Sequence, residues 1–134
     1  MGVWMRALGR LEVEPAPDEK LLLDFYRFNR THQPNDYKRM EEHFSNTWFF
    51  DENNRMACLA GKFAEPTVWF RFMRDVFFEP RGYSLIGNLN VVGECESNEI
   101  WDRSIVKEYE CWEKRIKELE EKHGNQLEYE WSGL

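Results

Sequence analysis

The sequence predicts an α+β protein with a ferredoxin-like split β-α-β antiparallel sheet, and two observations carry that expectation. First, a strand-like run leads into a proline-started apolar helix twice, at Leu8 to Asn29 (LGRLEVEPAPDEKLLLDFYRFN) and at Met56 to Phe78 (MACLAGKFAEPTVWFRFMRDVFF). Second, the order β-α-β-β-α-β, extended by a C-terminal helix and a short edge strand, suits a sheet carrying its helices on one face. A chain of 134 residues matches a single domain over 1–134.

Val3, Met5, Ala7, Leu11 and Val13 alternate with Trp4, Arg6, Arg10, Glu12 and Glu14, the period of a strand with one buried face, so Val3 to Glu14 is expected to be a strand. Pro17 suits a first helical turn, Asp18 and Glu19 complement its positive end, and Leu21, Leu22, Phe25 and Phe28 follow at helical spacing to about Arg30. Asp36 to His43 reads as a short helix capped by Asp36. Thr47 to Asp51 and Met56 to Phe63 flank Glu52, Asn53 and Asn54, whose asparagines suit a hairpin turn. Pro66 opens a second helix that is apolar on most sides, which implies cover beyond the sheet. Tyr83 to Glu94 reads as a strand, with Gly87 and Gly93 marking a bend or bulge.

Trp101, Ile105, Tyr109, Trp112, Ile116 and Leu119 recur every three or four residues, which places them on one helix face. Glu110 with Lys114, Glu113 with Lys117 and Glu118 with Lys122 add i, i+4 pairs, and Gly124 is a natural terminator. The β propensity of Ile105, Val106, Tyr109 and Cys111 leaves a strand over Trp101 to Cys111 as the competing reading. Leu127, Tyr129 and Trp131 alternate with polar residues, so the tail is expected to add an edge strand.

The formal net charge of −7 and pI near 5.1 disfavour affinity for phosphate backbones and favour basic or polar protein partners. Cys58, Cys95 and Cys111 are odd in number and widely spaced, which suits a reducing, cytoplasmic setting. No apolar run reaches the length of a membrane span, and the start of the chain lacks a signal-peptide hydrophobic region. His32, His43 and His123 are dispersed, and Glu41, Glu42 and His43 lack a second histidine one turn away, so no metal and no cofactor is expected. Acids beside Cys95 oppose its thiolate, and no glycine-rich phosphate loop occurs, so no catalytic residue is assigned.

Two surfaces stand out. Glu94, Glu96, Glu99 and Asp102, with Trp101 and the tail residues Tyr129 and Trp131, form a candidate partner-binding patch of acids and aromatics. The plain alternative is that Glu99 and Asp102 occupy a first helical turn, where the macrodipole favours acids. Trp4, Arg6 and Arg10 with Trp48 form an alternative sheet-face patch on which single-stranded nucleic acid would stack. Arg55 to Phe63 lacks the aromatics of an RNA-recognition strand, which disfavours that use.

Gly82 to Glu94 (GYSLIGNLNVVGE), behind an apolar helix ending in Phe77, Phe78, Glu79 and Pro80, resembles a segment of short uncharacterised proteins encoded by phages and mobile elements of Gram-positive bacteria. The resemblance spans about Val68 to Glu94 and implies an accessory or host-interacting protein rather than a metabolic enzyme. The functional expectation is therefore a small intracellular accessory or inhibitory protein acting through a protein partner or self-association. The runner-up is a small-molecule-binding or enzymatic domain with a pocket between the sheet and the C-terminal helix, near Tyr109, Trp112 and an acid.

Overall fold

The computed structural model describes residues 4–32, 34, 46–62, 65–94 and 103–131, with the side chains of Trp4, Lys62, Glu94 and 124–131 outside that description. The protein is α+β, with β1 (Trp4–Leu8), β2 (Glu12–Glu14), α1 (Glu19–Thr31), β3 (Trp48–Phe50), β4 (Met56–Cys58), β5 (Gly61–Lys62), α2 (Pro66–Phe72), β6 (Ser84–Ile86), β7 (Asn90–Glu94) and α3 (Arg103–Trp131). Among the described residues all strand pairing is antiparallel and is divided among a three-stranded sheet, β5-β1-β7, and the two pairs β2-β6 and β3-β4.

The strand expected over Val3 to Glu14 is interrupted, and so is its partner over Tyr83 to Glu94. Three residues separate Leu8 from Glu12 and three separate Ile86 from Asn90, so Leu8↔Asn90 and Glu12↔Ile86 keep one register across the gap. Gly9 and Gly87 lie opposite that gap at φ 97 and φ 150, conformations that side chains disfavour. A Cβ on Gly87 would stand 2.8 Å from the Arg10 carbonyl oxygen, so the two chains approach there too closely for any side chain. Freed from β6, Leu11 exchanges both backbone hydrogen bonds with Met56, at 3.0 and 2.9 Å. At the break the strand thus bonds on the Met56 side alone, and pairing with β6 resumes at Glu12.

Helix α1 starts slightly later than Pro17 because Asp18 is its N-cap, accepting from the Leu21 N–H at 2.8 Å. Helix α2 begins at Pro66 as its pattern requires, then widens into a π-helix at Met73–Phe78 and tightens into a 3-10 turn at Glu79–Arg81 before Gly82 stops it at φ 83. The wider turn lets the adjacent rings Phe77 and Phe78 both be fully buried, edge to face at 4.9 Å. The short helix expected at Asp36 to His43 lies outside the described residues.

The segment from Arg103 is helical, as its apolar period predicts, so the competing strand reading of Trp101 to Cys111 falls over its described part, 103–111. Two expectations are corrected: Gly124 does not end the helix, and the tail to Trp131 is helical in place of an edge strand. A helical glycine costs only about 1 kcal/mol relative to alanine, and Leu127 and Trp131 are also one helical turn apart, so their alternation did not distinguish the two periods. Lys122 bonds Glu19 of α1 at 3.1 Å rather than turning back to Glu118.

The hairpin β3-β4 forms the centre of the core, with Trp48, Phe49 and Phe50 all buried and both faces covered. Phe50 meets Phe25 of α1 at 5.3 Å and Phe78 at 6.2 Å, while Phe49 meets Tyr109 of α3 edge-on at 5.3 Å. Helix α3 thus supplies cover for the hairpin beyond α1 and α2. It is clamped by charge as well as packing. Arg10 donates two hydrogen bonds to the Glu108 carboxylate, at 3.0 and 2.7 Å, and a third to Asp51 at 3.2 Å. Those two acids raise the Arg10 pKa, Glu108 more strongly than Asp51, against the opposing effect of burial. Arg115 adds bonds to the Asp51 carbonyl at 3.3 Å and to the Asn54 side chain.

Candidate functional site

Of the acidic patch, Glu94 ends β7 opposite Trp4. Glu96, Glu99, Trp101 and Asp102 lie outside the described residues, and Tyr129 and Trp131 belong to the end of α3 rather than to a strand beside Glu94. The alternative patch is not assembled as an exposed aromatic and basic face. Trp48 is 1% exposed and its indole N–H donates to the Pro66 carbonyl at 3.0 Å, so its ring has no face free for a base. Arg10 is held by Glu108 and Asp51, Arg6 is half-buried, and the Trp4 side chain is outside the description.

A concavity with a mixed lining lies between α1 and α3. It encloses about 400 Å³, in the range of ligand pockets. One wall is the Tyr26, Asn29 and Arg30 face of α1, and the other is Tyr109, Trp112, Glu113 and Lys117 of α3, with Trp48 at the base. The wall opposite Tyr109 and Trp112 is therefore mainly a helix and not the sheet.

Asn46 builds the floor. Its amide nitrogen donates to the Asn29 side-chain oxygen at 2.9 Å and lies 3.1 Å from the Met73 sulfur, while its oxygen accepts from the Trp48 N–H at 2.9 Å. One side chain thereby fixes α1, the π-helical turn and the start of β3 relative to each other. The same bonds leave the Asn29 N–H₂ group without a partner among the described residues.

Tyr109 stands beside it with its ring edge-on to Phe49. Burial, then the nearby Glu113, pushes its phenol pKa up, so at neutral pH it is a hydroxyl donor. Arg30 lies over the Tyr26 ring at 5.5 Å and donates to its hydroxyl at 3.4 Å. Glu113 and Lys117 complete an exposed rim and make no ion pair among the described residues. Aromatic walls, unpaired donors and a rim of both signs can hold a partner by contact. Serine, threonine, cysteine and histidine are missing from the described lining, whose titratable side chains are Tyr26, Arg30, Tyr109, Glu113, Lys117 and Glu120.

A second, apolar hollow of about 240 Å³ opens where the paired strands part, between Leu11, Gly87, Leu89 and Val91 and the start of α2 at Pro66, Thr67 and Phe70. Trp48 forms a wall of both hollows. Cys58 is buried and burial pushes its thiol pKa up, while Cys111 is exposed on α3. Among the described residues no group of three or more His, Cys, Asp or Glu is placed to hold a metal ion, and no helix is long and apolar enough to cross a membrane.

No family model, curated protein or solved structure matches the chain. Any functional reading must therefore come from the groove and the sheet themselves.

Sequence reasoning missed Tyr26, Asn29, Arg30, Asn46 and Lys117. Tyr26, Asn29 and Arg30 do carry a local signal, since i, i+3 and i+4 share one helix face. Which helix that face would meet is a tertiary fact with no local signature.

Proposed function

We propose that the protein acts by stoichiometric contact rather than catalysis, as an accessory or inhibitory protein that receives part of another protein in the groove between α1 and α3. The make-up of that groove is the observation that supports this most directly. Tyr26, Tyr109 and Trp112 line its walls, Asn29 and Asn46 its floor, and Arg30, Glu113 and Lys117 give it a charged rim. Tyrosine, tryptophan and arginine are the side chains that dominate protein interfaces. The resemblance of Val68 to Glu94 to phage and mobile-element proteins points the same way. We also infer a ferredoxin-like arrangement. Its support is the common register of β1/β2 with β6/β7 and the Leu11–Met56 bridge, which line the strands up as β6/β7, β1/β2, β4/β5, β3.

Affinity capture from source-cell lysate tests the reading, with Lys114→Glu as a control on an exposed position of α3 outside the groove. Tyr26→Ala combined with Lys117→Glu is expected to lose the partner that wild type and Lys114→Glu retain. Equal recovery by all three would contradict it. A small ligand in the same groove is the second reading, favoured by the Asn29 N–H₂, which has no partner among the described residues, and by the Tyr109 hydroxyl. Native mass spectrometry of the purified chain would then reveal a bound small molecule that Tyr26→Ala releases.

A further inference from the structure

Among the described residues, β6 pairs only with β2 and β7 only with β1, so the outer edge of Ser84 to Glu94 presents unpaired backbone donors and acceptors. Edges of this kind are usually guarded by lysine, proline or a covering element. The β7 sequence, Asn-Val-Val-Gly-Glu, contains neither lysine nor proline. Exposed apolar side chains lie on the edge strands, Val91 at 40% and Ile86 at 46%.

We propose that a second copy of this chain pairs antiparallel with β7, about a twofold axis at Val92. The inference deepens the contact reading by naming one partner, and it uses the sheet edge rather than the groove. The favoured occupant is a second copy because the strand is self-complementary in that register. Val91 faces the partner's Gly93, which leaves room for a β-branched side chain, and Asn90 faces the partner's Glu94, so no like charges are opposed. Each copy brings a net charge of −7, so long-range repulsion opposes association and salt should strengthen it.

Sedimentation velocity on the full chain, over a concentration series at low and moderate salt, is the test. A dimer that tightens with salt is expected. Asn90→Glu places acid against the partner's Glu94 and should weaken the dimer by about tenfold, whereas Asn90→Lys should tighten it. Opposite effects at one exposed position distinguish pairing from loss of fold. A chain that is monomeric throughout overturns the proposal, as does a dimer indifferent to both substitutions. A foreign strand on this edge would give the monomeric result. Neither outcome alters the recovery of a groove partner, so failure here is distinct from failure of the contact reading.

Discussion

Asp51, 2% exposed, joins the hairpin turn to the break in the first strand. One carboxylate oxygen accepts the Asn53 and Arg55 N–H groups at 2.9 Å each, and the other faces Arg10 at 3.2 Å and the Arg55 side chain at 3.3 Å. Asparagine 54, at φ 59, closes the turn. The Asn-rich turn was legible from sequence; the role of Asp51 was not, because Arg10, which ties it to the first strand, comes from a distant position. Asp51→Ala should cost about 3 kcal/mol in urea denaturation, since it leaves the Asn53 and Arg55 backbone donors unsatisfied and strips Arg10 and Arg55 of one of their acids. Glu19 carries the clearest pH effect. Lys122 first, then His123, hold its carboxyl below the usual range of about 4.3. Its favourable contribution is present above the unfolded value and lost as pH falls through the lower folded one. NMR titration should place the Glu19 midpoint below the unfolded value, and Lys122→Ala should raise it.

At the scale of elements, α3 was the most legible because its apolar period is long. Ile105, Trp112, Ile116 and Leu119 are buried as that period requires, and Tyr109 packs beside them. Trp112→Ala or Ile116→Ala should therefore cost about 2 to 5 kcal/mol. Lys114→Ala and Glu118→Ala, on the exposed face, should stay within about 0.5 kcal/mol of wild type. Chemical denaturation of the four variants checks the helix face directly; equal losses would mean that α3 docks in another orientation. The tail was misread because three alternating residues are too few to separate a period of 2 from one of 3.6. The strand break was half legible. Gly87 announced it on one strand, whereas Gly9 interrupts a run whose alternation otherwise continues into Glu12 and Val13.

Across the whole molecule, the two repeated β-α units build one core around Phe25, Phe50, Phe77 and Phe78, and α3 closes it from the hairpin side. That extra helix creates the groove with α1, whose position depends on helix-to-helix packing and was not encoded in any local motif. The acid-rich segment that stood out in the sequence has only Glu94 among the described residues, so composition and geometry direct attention to different surfaces.

The most direct test of the account is site-specific photo-crosslinking in cells, with a photoreactive residue at Lys117 inside the groove or at Lys114 outside it. Contact through the groove predicts one discrete protein adduct from position 117 and a marked loss of it at 114. Adducts of equal yield from both positions, or from 114 alone, would contradict it.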